Sequence, residues 1–243
     1  MFDNDLDQFH NIIPDHDIRG YLTNGEVHYL WYFMQGSIMD PYVRRHLRNS
    51  WGFCQRHMAG WLLVESAFHH NYFHGPSILL ADLIGRAQNC FSRYQVPLVA
   101  AVRLRNKKPC FMCYLGFNAE RKGSANADIM RQGNDVSYLR QFAHETEMYW
   151  RKSVCPRCVN NAGSEGLLCR THLIQELSHN KYSSIKNAAT YIDYLYEQIT
   201  FFSHSFRWEH RGSATTECKA SLISVAGWLG GWAELINLIE KWR

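Results

Sequence analysis

The stretch from Cys155 to His172, CPRCVNNAGSEGLLCRTH, sets three cysteines and one histidine in the spacing C-x2-C-x10-C-x2-H. Its four candidate ligands are Cys155, Cys158, Cys169 and His172. Three thiolates and one imidazole on a short linker match the donor set of a tetrahedral zinc ion. Turn-forming residues between the two halves let the chain double back; they are Asn160, Asn161, Gly163, Ser164 and Gly166. The stretch predicts a metal site around which the chain folds.

The other cysteines follow the same spacing. Six of the eight cysteines combine with two histidines into four i/i+3 pairs: Cys54/His57, Cys110/Cys113, Cys155/Cys158 and Cys169/His172. Two side chains at this spacing can bind one metal ion. In a reducing compartment the pattern therefore favours metal binding over disulfide formation. Cys90 and Cys218 stand outside the pairs, and we interpret them as small buried hydrophobes.

Composition sets the broad class of the protein. The chain has 243 residues, enough for one large domain or two small ones, and a formal net charge of +4 with 13 histidines uncounted. That excess of positive charge is too small to indicate nucleic-acid binding by itself. The longest apolar runs, such as Trp61 to Val64 and Ile78 to Ala81, are too short to cross a bilayer. The acidic, polar N-terminal stretch is the opposite of a secretory signal, so we expect a cytoplasmic protein.

Helix signals dominate the pattern. Thr23-x-x-Glu26 is a capping box, and Asp40-Pro41 places a capping carboxylate before a proline that opens a helix over Tyr42 to Arg48. Ile78 to Tyr94 is amphipathic, whereas Leu98 to Leu104 fits a strand or a short buried helix. A long helix is expected from Asp135 or Ser137 through Trp150.

The predicted fold is therefore mainly α, with little or no β-sheet. We expect a helical protein with two treble-clef- or knuckle-like Cys3His metal sites. An N-terminal helical lobe over residues 1–105 would carry the Cys54/His57 pair. A C-terminal helical lobe over residues 106–243 would carry the C-x2-C pairs and the second C-x2-H pair, with both lobes packed as one compact unit.

Several motifs together resemble an uncharacterised bacterial family. They are Arg48 to His57, RNSWGFCQRH, the Ile78 to Ala87 helix, a C-x2-C pair, and Gly166 to His172, GLLCRTH. The resemblance implies a helical, zinc-binding protein, because members of that family look like two repeats of C-P-x-C, a helical segment and G-F/L-C-x-x-H. The resemblance implies a C-x2-C pair upstream of Cys54, but Asp15, His16 and Asp17 occupy roughly that region.

Two ligand assignments follow. In the first, Cys155, Cys158, Cys169 and His172 form a local site, while Cys54, His57, Cys110 and Cys113 form a second site across a longer stretch of chain. In the second, which the family resemblance implies, Cys110/Cys113 pair with Cys169/His172, and Cys155/Cys158 need other partners. We prefer the first because it completes two Cys3His sites for two zinc ions. Iron–sulfur ligation is the alternative, which histidine-containing shells disfavour.

The sites themselves favour a structural role. A full Cys3His shell leaves no position for water or substrate, and each C-x2-H pair precedes an apolar helical run, so each ion would fix the start of a helix. We therefore predict a binding or regulatory module whose partner is an unidentified protein or small molecule.

Two other functions stay open. A metal-dependent enzyme with an open zinc or iron site would use His69, His70 and His74, of which His70 and His74 share a face at helical spacing. Asp15 or His16 would complete such an open site at Cys54. A nucleic-acid-binding zinc protein would use the basic runs Arg44–Arg48 and Arg103–Lys108. Trp228, Trp232 and Trp242 in the tail fit a protein interface or, more simply, the core.

Overall fold

The computed structural model describes residues 21–117, 125–159, 167–179 and 182–240. Every regular element within these ranges is a helix, and none of these residues forms a strand, which confirms the mainly α prediction. The α-helices are α1 Asn24–Met34, α2 Pro41–Ser50, α3 Gln55–His69, α4 His74–Arg93, α5 Pro97–Leu104, α6 Phe111–Tyr114, α7 Ala127–Gly133, α8 Ser137–Glu145, α9 Glu147–Trp150, α10 Arg170–Ser178, α11 Tyr182–His204, α12 Thr216–Gly230 and α13 Ala233–Glu240. Short 3-10 turns lie at Ser37–Met39, Arg151–Ser153 and Trp208–His210.

The first two helices begin where the sequence predicts. The Thr23 hydroxyl accepts from the backbone N–H of Glu26, and the Glu26 carboxylate accepts from the backbone N–H of Thr23, so the capping box of α1 is complete. At α2 the Asp40 carboxylate accepts from the backbone N–H groups of Tyr42 and Val43, both at 2.9 Å. These caps satisfy amide groups that a helix start otherwise leaves unpaired.

Helix α3 runs through the interior, and its stretch from Trp61 to Val64 is fully buried. It packs against α1, α7 and α8 and against α12 and α13 near the C-terminus. The two longest helices, α4 and α11, pack along each other, and α11 also packs on α12. Buried side chains from residues 1–105 and 106–243 belong to one hydrophobic cluster, although the division into those two lobes stays a prediction.

The predicted long helix from Ser137 to Trp150 is wrong in one respect, because it is interrupted at Thr146. The buried Thr146 hydroxyl donates to the carbonyl of Phe142 at 2.8 Å, and the residue leaves helical geometry at φ −110° and ψ 4°. Such a bond from a threonine back to the preceding turn bends helices. The ambiguous segment at Leu98 is helical, as α5, with Pro97 at its first position.

Two of the three tail tryptophans lie in the core, and the third lies outside the described residues. Trp228 and Trp232 are buried, and Trp232 stacks on Trp150 with ring centroids 6.1 Å apart, so these two serve core packing. Trp242, Asp15, His16, Asp17 and the turn residues 160–166 lie outside the described residues. Within the described ranges no helix combines the length and the apolar character that a membrane span needs.

Candidate metal centres

The eight predicted ligands form two groups in space. Site A consists of Cys54, His57, Cys110 and Cys113; site B consists of Cys155, Cys158, Cys169 and His172. Within each site the four ligand atoms all lie within 4.8 Å of one another. This grouping is the first of the two assignments, and it separates Cys110/Cys113 from Cys169/His172. That either site binds a metal stays a prediction.

The spacing at site A fits a tetrahedral zinc ion. His57 Nδ1 lies 3.3 Å from the Sγ of Cys54, 3.4 Å from that of Cys110 and 3.5 Å from that of Cys113. The Sγ atoms of Cys54 and Cys113 are 3.8 Å apart. Zinc bonds of about 2.3 Å to sulfur and about 2.05 Å to nitrogen place tetrahedral ligands about 3.8 Å (S···S) and about 3.6 Å (S···N) apart. The observed separations are close to these values.

Site B has the same dimensions. His172 Nδ1 lies 3.3 Å from the Sγ of Cys155, 3.5 Å from that of Cys158 and 3.3 Å from that of Cys169. The Sγ atoms of Cys158 and Cys169 are 3.6 Å apart, far beyond a disulfide bond of about 2.05 Å. All eight cysteines are free thiols. Both donor sets therefore suit one zinc ion each.

Helix starts position both C-x2-H pairs. Cys54 is the N-cap of α3 and Cys169 the N-cap of α10, each with extended backbone, and neither helix start has a side-chain capping hydrogen bond. The histidine three residues later falls in the first helical turn, facing back toward the sulfur. The partial positive charge of a helix start favours thiolate over thiol. The expected association of C-x2-H pairs with helix starts is confirmed.

Within each site the pKa values of neighbouring thiols move in opposite directions. Hydrogen bonds from Cys110, and to a smaller extent from His57, lower the pKa of Cys54 to about 4 despite its burial. Hydrogen bonds from Cys158 and Cys169 likewise lower the pKa of Cys155. The neighbouring Cys110 and Cys169, bonded to those sulfurs and buried, have raised pKa values. A cation bound among the four groups would replace the shared protons.

Site A has a carboxylate partner that sequence reasoning missed. His57 Nε2 lies 3.1 Å from Glu26 Oε1, and both side chains are almost fully buried. Metal-ligating histidines characteristically donate their second N–H to a carboxylate, which fixes the ring and its tautomer. Glu26 lies 31 residues before His57. Its capping-box role accounts for it locally, so no sequence signal pointed to the site.

Glu26 is held in turn by Arg56. The Arg56 guanidinium donates to the two carboxylate oxygens of Glu26 at 2.6 and 2.7 Å and to the carbonyl of Tyr21 at 2.8 Å. Burial alone would raise the pKa of Glu26, but hydrogen bonds from Arg56 and His57 outweigh it and lower that pKa to about 2. The Tyr21 hydroxyl donates to Glu234 at 3.0 Å, which connects this network to α13.

A buried arginine anchors site B. Arg170, which follows the ligand Cys169, donates to the carbonyl of Leu104 at 2.8 Å and to that of Leu229 at 3.3 Å. These bonds tie the start of α10 to the ends of α5 and α12. Burial lowers the pKa of Arg170 to about 10, which still leaves its guanidinium charged at neutral pH. On the same helix Glu176 pairs with Arg157, which lies between Cys155 and Cys158 in sequence.

The histidine cluster proposed for an open enzymatic site does not gather around one point. α3 ends at His69, and His70 and Asn71 adopt positive φ angles of 48° and 64°, so the prediction that His70 and His74 share a helical face is wrong. His69 binds Glu65 at 2.9 Å, while the His70 ring lies against Tyr138 and the His74 ring against Phe206. The left-handed turn directs the three rings to different neighbours.

The two basic runs are largely exposed. In the first, Arg44 and Arg48 both pair with Asp82, and Arg45 faces solvent. In the second, Arg103 lies over the Tyr94 ring, and Arg105, Lys107 and Lys108 are exposed. Their use by a nucleic acid stays a prediction.

Comparisons with protein-family models, with curated proteins and with solved structures gave no match to this chain. The resemblance to a bacterial family of zinc-binding helical proteins therefore stays a prediction.

Proposed function

We propose that the chain is a zinc protein in which both ions are structural and hold a helical surface for binding a partner. The observation that supports this proposal is that each site gathers four candidate donor atoms within 4.8 Å of one another, close to the spacing of a tetrahedral shell. A shell completed by the protein leaves no coordination position for water or substrate, which is typical of structural zinc.

The placement of the sites supports a structural role. Site A joins the start of α3 to the start of α6, and the two segments are more than 50 residues apart in sequence. Site B joins the Cys155–Cys158 turn to the start of α10. Structural zinc contributes about 10–16 kcal/mol in small peptides at neutral pH, and whole domains are stable by only about 5–15 kcal/mol. Either ion would therefore decide whether its part of the chain folds.

The donor types favour zinc over an iron–sulfur cluster. Such clusters are generally held by four cysteine thiolates, whereas each site here offers three thiols and one imidazole. Reduced thiols also fit the expected cytoplasmic location, because free cysteines at this spacing persist where glutathione keeps them reduced. The partner in this proposal is a macromolecule or small molecule that contacts the surface, with no reaction at the metal.

The direct test is elemental analysis of protein purified without added metal, with an absorption spectrum of the same sample. Two zinc ions per chain without visible bands would support the proposal. One zinc ion would contradict a complete second site. Iron, or visible absorption, would replace the structural account with a redox one.

The ligand role of site B has its own prediction. Cys169→Ser removes a buried ligand and leaves three groups around the ion, so we expect insoluble or unfolded protein with at most one zinc. Cys90→Ser is the matched control, since Cys90 is also buried but lies outside both sites. A Cys169→Ser protein that stays folded with two zinc ions would refute the assignment.

A further inference from the structure

The two basic runs, separate in sequence, meet on one surface. The backbone N–H groups of Lys107 and Lys108 donate to the carbonyl of Asn49 at 2.7 and 3.3 Å. The Trp51 indole N–H donates to the carbonyl of Arg105 at 3.2 Å. Segment 105–114 therefore lies beside the C-terminal end of α2. This contact brings Arg105, Lys107 and Lys108 next to the helix that carries Arg45.

The contacts continue along α2 toward its start. His46 Nε2 lies 3.1 Å from the carbonyl of Pro109, and the His46 ring lies 4.6 Å from that of Phe111. Nearer the N-terminus of α2, the Tyr42 ring is 6.1 Å from the Phe111 ring. Segment 105–114 thus runs in the opposite direction to α2. We call the outward side of this pair the α2 surface.

Charge on this part of the chain is strongly one-sided. Residues 40–117 hold ten basic side chains, which are Arg44, Arg45, Arg48, Arg56, Arg86, Arg93, Arg103, Arg105, Lys107 and Lys108. Only three acids accompany them: Asp40, Glu65 and Asp82. Arg56 is paired with Glu26, which lies outside this range. The other nine bases minus three acids give +6, which still exceeds the +4 of the whole chain.

Each of the three acids is already engaged. Asp40 caps the start of α2, and Glu65 is buried against His69. Asp82 pairs with Arg44 and Arg48. The exposed Arg45, Arg105, Lys107 and Lys108 therefore carry the positive charge of the α2 surface.

Exposed aromatic rings lie among these charges. Tyr42 is 57% exposed and Tyr114 is 59% exposed. Tyr42 precedes Arg45 by one turn of α2. The Tyr114 ring lies 5.3 Å from the ring of His46, which is also on α2. Single-stranded nucleic acid is bound by this combination, in which cations follow the phosphates and aromatic faces stack on unpaired bases.

We propose that the α2 surface binds single-stranded nucleic acid, with Arg45, Arg105, Lys107 and Lys108 at phosphates and with Tyr42 and Tyr114 stacking on bases. The cations alone would suit an acidic protein partner equally well. The exposed tyrosine rings favour nucleic acid, because unpaired bases can stack on them. This inference rests on the proposed function, because the ion of site A is expected to hold both edges of the surface. Cys54 follows α2 closely, and Cys110 and Cys113 lie within segment 105–114.

The test uses the zinc-loaded full chain and a fluorescein-labelled 20-nucleotide oligothymidylate, with affinity measured by fluorescence polarisation from 50 to 200 mM salt. Four phosphate contacts predict a slope of log K against log salt of about −3 and a loss of roughly fiftyfold over that range. A duplex of equal length should bind several-fold more weakly, because its bases cannot stack on the tyrosines.

The charge variant is Arg45→Glu with Lys107→Glu and Lys108→Glu, which should weaken binding at 50 mM salt by at least tenfold. Its matched control is Arg131→Glu with Lys186→Glu and Arg211→Glu, which makes the same change in net charge at exposed residues of α7, α11 and the turn before α12. The control should bind within about twofold of the parent protein. Equal losses in both variants, or none in the first, would overturn the inference.

The tyrosines are tested separately from charge. Tyr42→Ala with Tyr114→Ala should lose about tenfold or more in affinity with an unchanged salt slope, whereas the two Phe variants should keep the affinity because phenylalanine still stacks. An Ala variant that binds like the parent would contradict base stacking. Zinc is counted in every sample: two ions per chain without oligonucleotide binding defeats this inference alone, while absence of zinc defeats the proposed function.

Discussion

Glu26 shows how one side chain can serve two structures. Its carboxylate accepts the backbone N–H of Thr23 at the start of α1 and lies 3.1 Å from His57 Nε2 in site A. A capping bond and a bond to a ligand histidine use different lone pairs of the same group. The fold of α1 and the orientation of the His57 ring therefore depend on the same buried charge.

The first prediction concerns this contact. Glu26→Gln keeps the shape of the side chain but removes the charge that receives Arg56 and the histidine N–H. We expect zinc affinity at one site to fall by about 10–100-fold, as for other carboxylate partners of ligand histidines, and the second ion to be held as before. Competition with a graded series of chelators measures both affinities.

Thr23→Ala is the control for the helix cap. It removes the hydroxyl that caps α1 and should cost about 1 kcal/mol of stability, but it leaves the contact between Glu26 and His57 in place. Zinc affinity should stay at the parent value. If Thr23→Ala weakened zinc binding as much as Glu26→Gln, the effect would belong to α1 and not to the carboxylate.

Sequence reasoning identified the eight candidate ligands that the structure gathers into two groups, but not the residues that support them. Cysteine and histidine at i/i+3 spacing are recognisable in the sequence as candidate metal ligands, because few roles other than metal binding require that pattern. Glu26 and Arg170 act through partners 31 and more than 50 residues away in sequence. Such partners are brought together by tertiary packing. No local sequence pattern around Glu26 or Arg170 indicates which distant residue each will contact.

At the scale of elements, α12 depends on a close approach by a tryptophan. A Cβ added at Gly227 would lie 2.4 Å from the Cε2 atom of Trp232, a distance that real side chains do not reach. Trp232 is buried and stacked on Trp150, so its ring has little room to move. Glycine is needed there to let the chain after α12 fold back onto the helix.

We predict that Gly227→Ala lowers the free energy of unfolding by about 1–3 kcal/mol, because overpacking forces rigid rings apart. Chemical denaturation followed by circular dichroism measures the change. Gly75→Ala is the matched control in the first turn of α4, where an added Cβ would make ordinary contacts of 3.5 Å with Ile38 and 3.6 Å with Glu65. That variant should be neutral or more stable by a few tenths of a kcal/mol.

Helix starts were predicted better than helix interruptions. Thr23 and Asp40 fix their helices through caps that depend on neighbouring residues only. The break at Thr146 and the left-handed turn at His70 and Asn71 carry no such mark, and the histidine-face hypothesis failed there. The turn at His70 and Asn71 contacts a distant element, because the Asn71 amide donates to the carbonyl of Tyr138 and the His70 ring lies against the Tyr138 ring. The break at Thr146 coincides with a hydrogen bond to Phe142 in the preceding turn, a bond that threonine can also make without ending a helix.

At the scale of the whole molecule, the two ions are expected to decide between folded and unfolded chains. Removing both with a strong chelator should abolish the cooperative unfolding transition or lower its urea midpoint sharply, since each site rivals a domain in its contribution. Circular dichroism in urea checks this. Adding zinc back should restore the transition and adding magnesium should not, because magnesium prefers oxygen ligands. An unchanged midpoint without metal would refute structural zinc.

The arrangement of the α2 surface lay beyond sequence reasoning. Each basic run by itself is consistent with a solvated helix face. Contacts in the folded chain, such as the bonds from Lys107 and Lys108 to Asn49 and from Trp51 to Arg105, show that the runs are neighbours. Joining them requires α3, α4 and α5 to return the chain to α2. The path of three helices is a property of the complete fold.

The different spans of the two sites have a consequence for how the protein reaches its native state. His57 and Cys110 are 53 residues apart, with most of α3 and all of α4 and α5 between them, whereas Cys155 and His172 are 17 apart. Short-range contacts form early in folding, and contacts between distant residues wait for the intervening chain to collapse. If the two sites hold zinc as proposed, site B is expected to bind its ion early in folding, and site A only after the intervening helices have docked. The proposed zinc ions would then act at opposite ends of one folding reaction.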